Sequence, residues 1–596
     1  MTYAEKQQHR ASKSATAGYL LPAVLRNFVR NRETGVVTVA IVIGVLSGLL
    51  VATIAALSEF IHSVLFAIPF DAHLSATGTI SWQRTLFVPI AGGAVLAALA
   101  WLVGTKLKGQ MADAIEANAL LGGRVSMRGS LLISFQTLIS NGFGGSVGLE
   151  AGYTQICSAF GSYFGRKLAA RRSDMRLLVA CGAAGAISAA FSAPLAGSFY
   201  AFEVILGAYT AANLMPVVAS AVAALLVARS LSHPSFLQIA GHATPVSIEL
   251  IGQAALIGVI CALMSIALML AVAFSERIFQ RLRFLRGLRP IIGGALIGAM
   301  ALLTPTVLGS GHGAMQLLLL NNPGWLLLFT TILLKSMATA VTIGSGFRGG
   351  LFFASLLLGS LIGMLYATLS GMVLPDVALP SGIAAIAALA AFGTGVIGAP
   401  FAMICLALEI TGEFSVTVGA IVASSVTALI VRELFGYSFA TWRFHLRGEV
   451  IRGPQDIGWV KQFNATTLMR SDFETIPGQT TVDEALKLFQ PGRIKYLVLR
   501  APDGRYDGLV SVAELHSADI PPETPVASLA HQQESFLLPL TSIRDIMKAF
   551  EKTEADVLAV VDNAADRTVI GTVSEAHVLR TYGEELERRN QEMFFR

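Results

Sequence analysis

Charge is scarce in this sequence. Only 14% of its 596 residues are Asp, Glu, Lys or Arg, against roughly 25% in an ordinary soluble domain. The formal net charge of +5 is small for this length and leaves no electrostatic footprint for nucleic acid. Cysteine is scarce too. Cys157, Cys181, Cys261 and Cys405 all lie in apolar stretches, with neither metal-site spacing nor a disulfide framework. They read as buried small hydrophobes. No nucleophile–base pair, metal-ligand cluster or phosphate loop stands out, so no enzyme is expected. What fills the chain is apolar: 54% hydrophobic, mean hydropathy +0.65. That is a membrane composition.

Residues 1–33 are polar and basic, with Lys6, Arg10, Lys13, Arg26, Arg30 and Arg32. The positive-inside rule puts them in the cytoplasm. The first apolar run, Val36 to about Leu65, is too long for a signal-peptide core, so no cleaved signal is expected. Further runs cover about Thr85–Gly104, Met215–Leu231, Leu250–Phe274, Pro290–Leu303, Trp325–Ile343, Leu351–Leu369, Ile383–Ile410 and Val416–Val431. Several are short, abutting or broken by Gly and Pro. Non-helical backbone at membrane depth persists only where it is buried in protein or lines a polar path.

One such break carries an acid. SNGFGGSVGLEAGYTQ, Ser140 to Gln155, holds Glu150 among five glycines. An intramembrane carboxylate is a functional hypothesis by default. The run after it reads as a helix whose first-turn amides favour negative charge. An acid beside an anion site implies competition between the two.

The second half repeats the first. Ala193-Pro194-Leu195-Ala196 precedes Glu203 as Ala399-Pro400-Phe401-Ala402 precedes Glu409, at identical spacing. GGSVGLEAG in the first half has a counterpart in GSGFRGGLFF, from Gly344, in the second. Paired interruptions in two halves point to a central site. The symmetric acids Glu203 and Glu409 are expected to be structural, hydrogen-bonded to helix ends. Arg348, inside the second break, reads equally as a source of positive potential or as a loop arginine. Lys106 and Lys108 read as topology signals.

After Gly436 the chain turns polar. The expected domains are a cytoplasmic segment 1–33, a membrane domain 34–445, a linker 446–463, two small α/β units at 464–520 and 525–586, and a tail 587–596. Strands are expected at Lys495–Leu499, Gly508–Ser511, Val557–Val561 and Ile570–Val573, with helices near Val482–Phe489, near Ser542–Glu551 and from Ser574.

These residues together carry a resemblance. The sequence resembles the CLC family of chloride channels and chloride/proton antiporters, followed by a pair of CBS domains. GSVGLEAG resembles the GREGP signature, whose acid is the gating glutamate; that role falls on Glu150. GSGFRGGLFFASLLLG resembles the GxFxP segment, whose backbone amides bind chloride. It places Leu351, Phe352 and Phe353 at the anion path, with Leu149 and Ala151 beside Glu150. CGAAGAISAAFSAPLAGSFYAFE resembles the stretch before the inner glutamate. The departures matter. By spacing back from Glu150, GSGIP falls on Lys108–Ala112, which puts Gly109 at the anion-coordinating serine; anchoring on ALLGGR moves that position to about Met111. The pore tyrosine falls on Ala440, or on Tyr437 in a shifted alignment. Ser355 follows Ala354 where the signature ends in proline. The inner proton-transfer glutamate aligns with Val204, which relays no proton, although some antiporters of the family also lack that glutamate.

The resemblance implies a polytopic α-helical membrane protein with two inverted structural repeats and broken helices, plus a C-terminal α/β CBS pair. It implies a homodimer in the inner membrane, with the N-terminus and CBS domains cytoplasmic. Its function would be a gated chloride channel, or alternatively a chloride/proton antiporter, or a CBS-based nucleotide sensor with vestigial transport. Its partners would be chloride or a similar small anion and the lipid bilayer. CBS pairs often bind adenine nucleotides; the matching cleft positions are Tyr496 and Val557, with Glu514 and His577 where an aspartate would hold the ribose. The alternative is a packing and dimerisation module without nucleotide. No other cofactor is expected.

Overall fold

The computed structural model describes residues 26–29, 32–70, 72–77, 80–103, 112–231, 246–281, 287–321, 323–373, 375, 378–439, 441–442, 463–489, 495–517, 520–581 and 584. The chain divides into two units, Met1–Asp456 and Ile457–Arg596.

The first half of the membrane unit is α1 (Glu33–Phe66), α2 (Trp82–Val103), α3 (Ala114–Leu120), α4 (Met127–Gly142), α5 (Glu150–Lys167), α6 (Arg172–Phe191), α7 (Pro194–Tyr200) and α8 (Ala211–Leu231). The second half follows in the same order: α9 (Ile248–Arg281), α10 (Arg289–Leu303), α11 (His312–Asn321), α12 (Trp325–Ser345), α13 (Phe352–Val373), α14 (Ser381–Ile397), α15 (Pro400–Thr411) and α16 (Phe414–Leu434). Eight helices among the described residues are long and apolar enough to cross a bilayer. α1 and α9 have 34 residues each, about 51 Å at 1.5 Å per residue. That exceeds a hydrocarbon core of about 30 Å.

The halves are two inverted repeats, and each packs its helices in the same pattern. α5 packs on α6 as α13 packs on α14, and α8 on α1 as α16 on α9. α2 and α10 pack reciprocally across the pseudo-twofold axis. A Cβ on Gly93 would lie 2.2 Å from the Pro290 carbonyl oxygen, and one on Gly294 would lie 2.2 Å from that of Pro89. Such close approach of backbones is how helices associate where lipid supplies no hydrophobic drive.

The run Ile383–Ile410, continuous in the sequence reading, is two helices. Gly398 at φ +80° ends α14, and Pro400 opens α15. Both choices follow the usual asymmetry of helix ends, glycine after and proline first. Cys157, Cys181 and Cys261 are buried, whereas Cys405 is only half-buried.

The second unit holds α17 (Ala465–Leu468), β1 (Thr475–Pro477), α18 (Val482–Leu488), β2 (Tyr496–Arg500), β3 (Tyr506–Ser511), α19 (Val512–Leu515), β4 (Phe536–Leu537), α20 (Ile543–Thr553), β5 (Val557–Val561) and β6 (Val569–Ser574). Its two three-stranded sheets share one topology. β1 runs parallel to β2 and β2 antiparallel to β3, as β4 does to β5 and β5 to β6. β5 has the bounds expected from sequence, and the ends of β2, β3 and β6 differ from the expected ones by one or two residues. Val498, Tyr506 and Leu509 of one sheet form an apolar cluster with Ala559, Val561 and Val569 of the other.

Candidate functional site

The two glycine-rich breaks meet. The Gly148 N–H donates to the Gly350 carbonyl at 2.9 Å, and the Gly350 N–H donates to the Gly148 carbonyl at 3.0 Å. α5 starts two residues after Gly148 and α13 two residues after Gly350, so their N-termini face one point. α4 braces both loops: the Ser140 carbonyl accepts from Gly145 N–H at 2.8 Å, and Ser140 Oγ accepts from Arg348 N–H at 2.9 Å. α12 adds Thr342 Oγ1, which accepts from Ser146 N–H at 3.2 Å.

Glu150 is the first residue of α5 and only 4% exposed. An acid there suits the positive end of the helix dipole, as Arg166 and Lys167 suit the other end. Its carboxylate faces the backbone N–H groups of Glu150 itself and of Phe353. It thus lies between two helix N-termini, where backbone amides favour negative charge. Oε2 is buried and has no hydrogen-bond partner. Glu150 also borders two cavities. A smaller one, ≈ 180 Å³, includes Asp113, Tyr200, Val204 and Phe352; a larger one, ≈ 730 Å³, includes Glu59, His62, His73, Leu149 and His312.

The structure places the remaining sequence-predicted residues as follows. Ala151, Leu351, Phe352, Val204 and Arg348 line the smaller cavity, and Leu149 lines the larger. Phe353 contributes its backbone amide, while its ring stacks on His312 at 3.5 Å between centroids. Gly109, Ala440, Met111, Lys106, Lys108 and most of the 446–463 stretch lie outside the described residues. Tyr437 packs against Trp442 and Phe435 and is absent from both cavity walls, whereas Phe439 lines the smaller.

Glu203 and Glu409 form a reciprocal pair. The Glu203 carboxylate accepts from Phe401 and Ala402 N–H at 3.1 and 2.9 Å, at the start of α15. The Glu409 carboxylate accepts from Leu195 and Ala196 N–H at 2.8 and 2.9 Å, at the start of α7. In the second unit the Tyr496 hydroxyl donates to Asp556 at 2.8 Å, and Glu514 pairs with His531 at 2.9 Å. Val557 opens β5, and His577 lies just after β6.

Four residues escaped the sequence reading. Asn141 Nδ2 donates to the Val147 carbonyl at 2.8 Å while its Oδ1 accepts from Ser58 of α1, fixing the break ahead of Glu150. Gln155 accepts from Ala114 N–H and donates to the Ala112 carbonyl, both at 3.0 Å, tying the start of α3 to α5. Asp113 caps α3, accepting from Ile115 N–H at 3.0 Å. Lys335 is fully buried and donates to the Val307 and Gly309 carbonyls at 3.2 and 2.8 Å. An intramembrane lysine was a readable signal.

Broken helices in two inverted repeats, with paired N-termini at one buried point, are the architecture of an intramembrane ion or solute transporter. The chain belongs to the CLC family: residues 92–432 match the family described as Voltage gated chloride channel. Residues 465–521 match the CBS domain. A voltage-gated ClC-type chloride channel ClcB of Salmonella typhi is 30% identical over 408 residues, 66% of this chain and 95% of its own length. The ClcB of Escherichia coli O81 is 31% identical over 368 residues, 60% of this chain and 86% of its own. A slow cyanobacterial Cl⁻/H⁺ antiporter aligns with TM-score 0.61 at 20% identity, covering 69% of this chain and 97% of that one. A eukaryotic CLC transporter aligns at 0.58 and 15% identity, covering 91% of this chain and 97% of that one. At those identities the structural likeness establishes the fold.

Proposed function

We propose that this CLC-family membrane protein moves chloride along a path on which the anion and the Glu150 carboxylate compete for one amide-lined site. The observation that carries the reading is the placement of Glu150. Its carboxylate faces the start of α13 from the start of α5, and the residue lines two cavities. Backbone amides of Ala151, Leu351, Phe352 and Phe353 are the anion-binding groups. Deprotonated, Glu150 mimics the anion and closes the site; protonated, it loses its hold on the amides and leaves.

Two modes share this geometry. Val204 on the cavity wall favours a gated channel. The place of Glu150 on the walls of two cavities favours chloride/proton exchange, since the residue borders both. Two copies form the assembly in the inner membrane, each with its own path, and the N-terminus and CBS domains face the cytoplasm. The CBS pair is a packing module, supported by the engagement of Glu514 with His531. Adenine nucleotide is its alternative ligand, detectable as a rise in melting temperature with ATP.

Chloride efflux from liposomes, measured between pH 4.5 and 8, tests the competition. Parent flux is expected to rise as pH falls, because protonation removes the competitor. Glu150→Gln is expected to be fast and insensitive to pH. A variant with the parent's flux and the parent's pH profile would sink the reading.

A further inference from the structure

Phe353 faces the Glu150 carboxylate with its backbone N–H, and its ring is stacked by two others. Phe191, the last residue of α6, lies parallel to it at 6.2 Å and touches Phe352 as well, at 4.7 Å. His312, the first residue of α11, stacks on it at 3.5 Å and 23°. That is the closest ring contact at the start of α13, and the competition reading makes no use of it. His312 also lines the larger cavity.

The imidazole stands on a fixed base. Its Nδ1 is hydrogen-bonded to Ser310 Oγ at 2.7 Å. Ser310 lies in a turn where Gly309 and Gly311 take φ +62° and +103°, left-handed backbone that suits glycine. Three elements hold this turn. Buried Lys335 of α12 donates to the Val307 and Gly309 carbonyls. The first glycine-rich break takes the Gly309 N–H on its Gly144 carbonyl at 3.3 Å. α13 leaves no room for a side chain at Gly311, where a Cβ would lie 2.5 Å from Leu357 Cδ2. Phe353 and Leu357 are four residues apart and so share one face of α13. Further along, Ser360 Oγ of α13 donates to Met315 Sδ of α11 at 3.6 Å. The start of α11 is thus fastened along α13 from its first turn.

We propose that His312 is a positioning residue for the anion site: its ring, stacked on Phe353, holds the Phe353 N–H at the point that chloride and the Glu150 carboxylate share. The proposal rests on the competition reading. The first N–H groups of a helix have no partner within it, so their aim depends on what packs around the first turn. Without the imidazole, Phe353 gains room to shift toward the larger cavity. The amides are then less well preorganised, and both competitors bind more weakly.

The test uses the full chain in liposomes, with His312 changed in the parent and in Glu150→Gln. In Glu150→Gln no carboxylate competes. There, His312→Ala is expected to raise the chloride concentration at half-maximal flux about fivefold, the scale of a weakened hydrogen bond to an ion, with maximal flux little changed. In the parent, at saturating chloride, it is expected to lower the ratio of flux at pH 4.5 to flux at pH 7.5, because loosened amides hold the deprotonated carboxylate less well. His312→Asn keeps a polar group near Ser310 but has no ring; it is expected to match His312→Ala, and it decides the matter if that variant fails to fold. His312→Phe keeps the ring and loses the bond to Ser310; it is expected to restore both readouts. Since Phe cannot titrate, restoration assigns the effect to the ring rather than to a proton on it. Parental half-saturation and a parental pH ratio in both ring-less variants overturn the proposal, as does a Phe variant that matches Asn. If Glu150→Gln itself keeps the parent's flux and pH profile, the competition reading fails first and takes this proposal with it.

Discussion

At Gly148 the missing side chain decides where Glu150 sits. A Cβ built there would lie 1.8 Å from Glu150 Oε2, far inside contact distance, so the carboxylate rests in space that only glycine leaves open. Gly148→Ala is therefore expected to expel the carboxylate and raise chloride flux at pH 7.5 toward that of Glu150→Gln. Liposome efflux at that pH checks it; a flux equal to or below the parent's would show that the carboxylate is not displaced. The acid itself was legible from sequence, as one charge among five glycines. Its supports were not. Asn141 and Gln155 look like ordinary polar residues of helices α4 and α5, and the groups Gln155 holds lie 41 and 43 residues away in the chain. Asp113 was invisible for a different reason. An N-cap acid is locally a sufficient explanation for itself.

Between elements, the decisive device is the exchange of acids across the pseudo-twofold axis. Pro194 and Pro400 open α7 and α15, and proline lacks an N–H. The next two amides of each helix are satisfied by a glutamate from the other repeat. The identical Pro-to-Glu spacing in the two halves is the sequence trace of this exchange, and it was readable. The breaks beside it were less so. Gly398 marks one, but Ser192, at φ 54°, holds the equivalent place in the other, and a serine announces no left-handed turn. Hydrogen bonds to a charged group contribute about 1.5–3 kcal/mol each. Glu203→Ala and Glu409→Ala are each expected to destabilise the membrane unit by about 2 kcal/mol, read as a lower unfolding midpoint in detergent. Midpoints within a degree of the parent's would show that water replaces the lost acceptors.

At the scale of the whole chain, the C-terminal unit offers a stability test independent of transport. Its sheets were legible from alternating strands and helices, but not the contacts that join its halves, because pairing across repeats leaves no periodicity. Tyr496, at the head of β2, donates to Asp556, just ahead of β5. Partial burial first, then the hydrogen bond and charge of Asp556, push the Tyr496 hydroxyl up to about 12, from an ordinary value near 10. A raised value means the folded state favours the protonated phenol. The stability it lends is thus complete below about pH 10 and lost as pH rises through 12. Tyr506 is also pushed up, mainly by burial, so its contribution too begins to fall above about pH 10. Urea unfolding of the C-terminal unit, followed in the full chain from pH 9 to 12, is expected to show a fall in midpoint over that window. Tyr496→Phe is expected to start lower at pH 9, having lost the bond to Asp556, and to fall less between pH 10 and 12. A variant whose midpoint tracks the parent's at every pH would mean that the two halves are held by their shared apolar cluster alone.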